Sequence, residues 1–380
     1  MRHERQVELL RRVAESGPHL QGLHAAHSAV HPASAYTDPA RYERERHLLF
    51  RRGPVFFGLS CELRQPGSYQ AATVGGVPLT VVRQADGGLR ALVNICRHRG
   101  APVMAPGSGD GLRAMTCPYH GWVYGTDGSL RGRPQSAGAF DDVTVNCDLH
   151  QVAVAERYGL VFVRPGGTEP IDVDAFLAGA QDDLGSFDLA GYTHIESRTH
   201  TWKMNWKLVL DTFTESYHIR TLHRDSLLGR FNSDCVIFEP FGRHCVSIGL
   251  RNDVLDETAK PEETWSLLPY GTIQYFLVPN GLVVHQLDHV ETWRIEPIDV
   301  RTSQLTTSIF APIAPDGDRA LNRWVKNLDL LLKVTGTEDF PLMEQIQANL
   351  DSGSLPELVY GRIEPPLIHY HRTVDEALAG

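Results

Sequence analysis

Two short runs of residues bring reactive side chains together at spacings that suit metal chemistry. The first is Cys96-Arg97-His98-Arg99-Gly100, then, with 18 residues between His98 and Cys117, Cys117-Pro118-Tyr119-His120-Gly121-Trp122. The pattern is C-x-H followed by C-x-x-H. Pro102, Pro106, Gly107, Gly109 and Gly111 lie between, so the chain can fold back and bring both tips together. Two thiolates and two imidazoles suit a four-coordinate zinc site, or a [2Fe–2S] cluster with one iron on the cysteines and one on the histidines. The second run extends from Asn205 to His223 and contains Glu215, His218 and His223. Five helical steps leave the two histidines about 140° apart on a straight helix. If both hold one metal, the helix must widen to a π-type turn or end between them. Glu215 and His218 are three apart and share a face.

The flanking elements must position these runs. Residues 1–45 read as an amphipathic helix that becomes irregular around Pro32 and Pro39. From about 50 to 165 the texture is short strands and Gly/Pro turns, an all-β module with both Cys–His pairs on loops after strands. Pro165-Gly166-Gly167 reads as its exit linker. Beyond it, a helix is expected near Trp202 to Leu222 and antiparallel strands over 232–312, with a hairpin from Thr272 to Gln286 around Pro279-Asn280-Gly281. Leu321, Trp324, Val325, Leu328, Leu331 and Leu332 fall on one helical face. A last helix is expected to start after Thr337 as N-cap, with Phe340, Met343, Ile346, Gln347 and Leu350 at helical spacing. The fold class is α+β: a β module, then an antiparallel sheet with helices on it.

Composition narrows the function. With 36 Lys plus Arg against 46 Asp plus Glu, the net charge of −10 argues against nucleic acid or an anionic membrane as partner. No apolar run approaches a membrane span, and the first residues have no apolar signal core, which points to the cytoplasm. Six cysteines in 380 residues are too sparse for a disulfide scaffold. Cys61, Cys147, Cys235 and Cys245 read as buried small apolar residues.

The first run resembles the Rieske [2Fe–2S] motif almost word for word, through Pro118-Tyr119-His120-Gly121-Trp122. Respiratory Rieske proteins add a cysteine to each loop, whereas here those neighbourhoods offer Ala101 and Tyr119, so the resemblance is to the ferredoxin-like and oxygenase branch. The second run resembles the mononuclear-iron motif of Rieske-type non-heme iron oxygenases, the aromatic-ring-hydroxylating and quaternary-ammonium family. It departs at Asp211 and Thr212, where the family often has Glu and Asn. The resemblance implies that Cys96 and Cys117 hold one cluster iron and His98 and His120 the other. It implies His218, His223 and Asp339 as ligands of a mononuclear Fe(II), with Glu338 and Glu344 as alternatives to Asp339. It further implies a division into an N-terminal segment packed on the catalytic domain (1–45), a Rieske domain (46–165) and a catalytic domain (166–380).

By the same resemblance the chain is the catalytic alpha subunit of a terminal oxygenase. Electrons come from an NAD(P)H-dependent reductase, with or without a ferredoxin; the chain has no G-x-G-x-x-G fingerprint of its own. A homotrimer sets one chain's cluster beside the next chain's iron, and Glu215 bridges its own His218 to the neighbour's His120. The expected reaction is mono- or dihydroxylation by O2 of an aromatic or other apolar organic substrate. The alternative is oxidation of a quaternary ammonium compound such as carnitine, choline or glycine betaine. Trp202, Trp265, Tyr270, Tyr275, Phe276 and Trp293 are available for an aromatic cage, although their strand positions suit a core as well. From other classes stand a Rieske electron carrier without oxygenase activity and a zinc-bound structural module.

Overall fold

Strand alternation organises the larger sheet. The computed structural model describes residues 1–16, 20–227 and 229–380, without the side chains of Gln21 and Cys235. Seven antiparallel strands lie in the order Thr193–Trp202, Thr302–Ala311, His289–Asp299, Gly281–Gln286, Gly271–Leu277, His244–Arg251 and Phe231–Phe241. Successive side chains point to opposite faces. Val246, Ile248, Ile273, Tyr275 and Val283 enter one core. Cys245, Phe276, Leu282, Trp293 and Leu305 enter the other. With both faces covered, the central strands Gly271–Leu277 and Gly281–Gln286 are largely buried along their length, whereas the edge strand Thr193–Trp202 is polar and half-exposed. The expected hairpin is present, with Leu277 opposite Gly281.

The two cores have different covers. On the first face lie helix His3–Glu15, through Leu9, Leu10 and Val13, and the β module, through Phe56, Leu59, Leu160 and Phe162. On the second lie helices Trp206–Phe213, Phe340–Asp351 and Pro365–Ala379. The β module is a seven-stranded sheet running in order from Val55–Leu59 to Gly107–Gly109, plus a three-stranded sheet of Ala114–Thr116, Val123–Gly125 and Leu130–Gly132. The α+β class with an all-β N-terminal module therefore holds.

Polar clamps join module and sheet. Asn280 Oδ1 accepts from Phe56 N at 2.8 Å, and its Nδ2 donates to Phe56 O at 2.9 Å. Glu296 accepts from the backbone of Gly75 and Gly76 at 2.8 and 2.7 Å, and Arg294 donates to Phe57 O at 2.7 Å. A Cβ at Gly281 would stand 2.7 Å from Phe56 Cβ, so glycine permits this approach.

Several sequence expectations are corrected. Pro165-Gly166-Gly167 is no free linker: Gly166 N donates to Arg51 O and Gly167 O accepts from Ala153 N, each at 2.9 Å. Pro39 opens a helix, Pro39–Glu45, with Asp38 as its N-cap. The helix placed near Trp202 to Leu222 covers only Trp206–Phe213. Trp202 ends a strand that pattern reading missed, Asn205 caps the helix, and both the N–H and hydroxyl of Thr214 donate to Asp211 O and end it. No new helix starts after Thr337. Helix Gly317–Val334 runs on through a π turn, Thr335–Asp339, into Phe340–Asp351. Thr337 Oγ1 bonds back to Lys333 O rather than capping. On the preceding helix Trp324 and Leu328 are buried, but Leu321 is exposed. Cys61, Cys147 and Cys245 are buried free thiols, as expected; burial pushes Cys61 up to about 12. The Cys235 side chain lies outside the described residues. Among the described residues, no helix is long and apolar enough to cross a membrane.

Asn280 is 1 % exposed, and its removal would strand two backbone groups of Phe56. Asn280→Ala is expected to destabilise the protein by about 2 kcal/mol or more, read as a lower urea midpoint.

Candidate metal centres

The two loops of the first constellation share one backbone design. Cys96 N donates to Ala101 O at 2.8 Å and Gly100 N returns to Cys96 O at 3.0 Å. Cys117 N donates to Trp122 O at 2.8 Å and Gly121 N returns to Cys117 O at 3.0 Å. Gly100 and Gly121 close these turns at φ +78° and +70°, in the left-handed region that glycine enters without strain. Each loop thus folds on its cysteine and holds out its histidine. Cys96 and Cys117 are buried, with Met115, Trp122 and Tyr124 around them. His98 is half-buried and His120 exposed.

The histidine tips converge. His98 Nδ1 and His120 Nδ1 are 3.0 Å apart. Two nitrogens on one tetrahedral ion, with bonds of about 2.1 Å, would stand about 3.4 Å apart. The His98 ring stacks on Trp122, 5.0 Å between centroids and 7° between planes. Slight burial, His120 and Arg99 together lower the proton affinity of His98, which favours the neutral, ligating imidazole. Cys96 Sγ has the Tyr124 hydroxyl at 3.3 Å. Burial and Cys96 raise the Tyr124 pKa, so this phenol stays a donor. The two cysteines sit in the module's small core, and the two histidines stand out from it. Among the described residues, only His218, His223 and Asp339 bring three ligand atoms within 4.8 Å of one another. A single zinc ion would draw all four together. Separate cysteine and histidine ends fit a two-iron cluster.

The second constellation does close. The histidines leave the helix problem behind, because the helix ends at Phe213, before either of them. His218 lies in the short 3₁₀ turn Tyr217–Arg220, and His223 follows it. Neither a widening nor the end of the α-helix falls between the histidines; a π turn, Thr335–Asp339, instead delivers the third residue, Asp339. Asp339 Oδ1 lies 3.0 Å from His223 Nε2 and 3.6 Å from His218 Nε2. Asp339 is 2 % exposed, and no donor within the protein satisfies this oxygen. Two imidazoles and an orphaned carboxylate oxygen, aimed at one point, fit the donor set that a mononuclear non-heme iron site requires.

The far side of each ring is also fixed. His218 Nδ1 is hydrogen-bonded to Glu215, whose other oxygen accepts from His218 N at 3.1 Å. His223 Nδ1 lies 2.8 Å from Glu338, which also accepts from Ser226 at 2.9 Å. Burial opposes protonation of His223, but the carboxylates of Asp339 and Glu338 beside it outweigh burial and raise its pKa. With Nδ1 protonated against a carboxylate, each ring presents Nε2 as a lone pair. Of the alternatives to Asp339, Glu338 thus faces the back of His223, and Glu344 accepts from Lys203 N at 2.7 Å. The orienting role of Glu338 escaped pattern reading, since its only signal is adjacency to Asp339. Tyr124, two residues beyond the motif that ends at Trp122, escaped likewise.

A cavity of about 50 Å³ lies beside the π turn, lined by Trp202, Trp293, Leu332, Thr335 and Phe340, among others. Of the six aromatics considered for a cage, Trp202 and Trp293 line it. Trp265 and Tyr275 belong to the core on the opposite face of the sheet.

Comparisons with known proteins match both parts of the chain. The family model for the ring-hydroxylating alpha subunit, catalytic domain, matches residues 189–380, and that for the Rieske [2Fe–2S] domain matches 54–145. A glycine betaine monooxygenase oxygenase subunit from Chromohalobacter salexigens is 32% identical over 196 residues, 52% of this chain and 43% of that protein. A benzene 1,2-dioxygenase subunit alpha from Pseudomonas putida is 30% identical over 223 residues, 57% of this chain and 49% of that protein. The aligned part of the chain spans less than half the length of either relative. The crystal structure of the quaternary ammonium Rieske monooxygenase CntA with an inhibitor superposes with a TM-score of 0.79 at 20% identity, covering 93% of this chain and 96% of that one, which shows a shared fold.

Tyr124→Phe would remove a hydrogen bond that favours the more electron-rich, reduced cluster. It is expected to lower the cluster's reduction potential with sulfide content unchanged, as a redox titration followed in the visible would show.

Proposed function

The chain belongs to the ring-hydroxylating alpha-subunit family, and on that premise we propose that it is the terminal oxygenase component of a Rieske non-heme iron system. Cys96, His98, Cys117 and His120 are the proposed ligands of the [2Fe–2S] cluster. His218, His223 and Asp339 are those of the mononuclear Fe(II). When bound, these groups supply single electrons and a place where O2 is activated beside substrate. The chain's own residues do the placing. Glu215 and Glu338 keep a proton on Nδ1 of His218 and His223, so Nε2 stays free to ligate. Asp339, itself buried, brings the one charge of the donor set. The division at 46–165 and 166–380 and the cytoplasmic location are part of this proposal.

The single observation that carries the reading is the Asp339 oxygen, buried without a donor and facing two imidazole nitrogens. A pure electron carrier would gain nothing from it. Anaerobically prepared protein is expected to contain labile sulfide and three irons per chain, two in the cluster and one alone. Asp339→Ala is expected to lose the third iron and turnover while its visible spectrum stays that of the parent. Two irons in both proteins would overturn the oxygenase assignment and leave the carrier.

For partners we propose a homotrimer, with Glu215 bridging His218 to His120 of the next chain, and an NAD(P)H-dependent reductase, directly or through a ferredoxin. Glu215→Gln is expected to keep both metals and lose most turnover; normal coupled activity would rule out the bridge. For substrate, the first reading, an aromatic or other apolar compound, is supported by the benzene 1,2-dioxygenase relative. The second reading, a quaternary ammonium substrate, is favoured by the glycine betaine relative and by the ability of Trp202 and Trp293 to hold a cation on their faces. Oxygen uptake measured against organic product over both classes separates them.

A further inference from the structure

Asp211 has no role in the oxygenase reading above, yet it is held unusually well. It lies in the last turn of helix Trp206–Phe213, where the helix dipole disfavours an acid. Tyr36 Oη donates to its Oδ2 at 2.6 Å, and His371 Nε2 lies 2.9 Å from its Oδ1. Tyr36 Oη is also 2.8 Å from Tyr360 Oη and 3.0 Å from His371 Nε2. Tyr36, Tyr360 and His371 are all buried, and they come from the N-terminal segment, the short strand Glu357–Tyr360 and helix Pro365–Ala379. A buried, mutually bonded network of this kind fixes its members in one arrangement.

The main chain gives this network its reach. Asp211 O takes both donors of Thr214, at 3.3 and 2.8 Å, and Glu215 follows at once. Tyr36 O accepts from Asn205 Nδ2 at 3.2 Å and from Gln347 Nε2 at 3.4 Å. Asn205 caps the helix that leads to Glu215 and His218, and Gln347 lies on the helix that continues from Asp339. Tyr36 therefore touches both arms of the mononuclear site without touching the site.

We propose that Asp211 and Tyr36 are positioning residues of the oxygenase, through which the N-terminal segment fixes the arm bearing Glu215 and His218 relative to the arm bearing Asp339. This rests on the oxygenase reading. The role is geometric, so shape at position 211 matters more than charge. Asparagine keeps the shape: its oxygen accepts from Tyr36, and its amide donates to His371 Nε2. The second bond is open because His371 Nδ1 has no partner in the protein and can carry the ring proton.

The test compares Asp211→Ala, Asp211→Asn and Tyr36→Phe in the full chain with both metals loaded. Misplacement by about 1 Å can slow a reaction about 100-fold. Asp211→Ala and Tyr36→Phe are expected to keep labile sulfide, iron content and oligomeric state, while re-oxidation of the reduced cluster in a single turnover with O2 and substrate slows about tenfold or more. Hydrogen exchange of the amides over 214–223 is expected to quicken in these two and not in Asp211→Asn, which re-oxidises like the parent. Should Asp211→Ala misfold, Tyr36→Phe decides, since it keeps the ring and the main-chain carbonyl. Re-oxidation within about twofold of the parent in Tyr36→Phe overturns the proposal; so does slowing in Asp211→Asn with exchange unchanged, which would assign the effect to charge. A parent protein lacking labile sulfide or the third iron would instead sink the oxygenase reading.

Discussion

A carboxylate oxygen buried without a hydrogen-bond donor is among the more expensive features a folded chain can carry, at several kcal/mol if nothing compensates it. Asp339 Oδ1 is in that position, with two imidazole nitrogens as its nearest polar company. The surrounding architecture makes this arrangement tolerable. Glu215 and Glu338 prevent the rings from turning their protons toward Asp339, and the helix that carries Asp339 is pinned by Gln347, whose Oε1 accepts from Asn205 N at 2.9 Å. A divalent cation at the meeting point would relieve all three groups at once. The folded protein thus carries a strong preference for an occupant of that charge, and the second core exists largely to keep the three donors aimed.

The β module answers a different requirement. Its cysteine end is packed into a small core with Met115, Trp122 and Tyr124, while its histidine end stands at the surface. That polarity suits a group that takes and gives electrons through its exposed edge. The module is not tethered by a loose linker. It shares the first core with the sheet and is clamped by Asn280, Glu296 and Arg294. Its orientation is therefore a property of the fold, and whatever meets the histidine edge must come to it.

Much of this was legible in the residues. The Cys–His pairs lie on loops between strands because Gly100 and Gly121 supply the left-handed conformation each loop requires. The hairpin over 272–286 followed from turn chemistry between two apolar runs. The candidate ligands were legible too, mainly because they resemble known motifs; spacing alone left His218 and His223 on different helical faces. What stayed hidden was tertiary. Helix length after Asn205 is set by Thr214 hydroxyl bonding rather than propensity, and the π turn leaves no periodic trace in five residues. Glu338, Tyr36 and His371 act through partners more than 100 residues away, which no local pattern records.

The π turn also has a bearing on how this helix is built. A π turn accommodates one residue beyond a regular helix, and one residue corresponds to about 100° of rotation about the axis. Upstream, Trp324 and Leu328 face Ile309 and Ala311 of the sheet; downstream, Phe340 and Leu350 join the core around Trp206. The insertion changes the angular phase between the two halves, so a single continuous rod can serve two environments that no uniform spiral would address together. Deleting one residue anywhere between 335 and 339 would restore the regular winding and swing one half out of step with its neighbours. At this point in the chain, a one-residue gap between related proteins would carry more structural meaning than many substitutions.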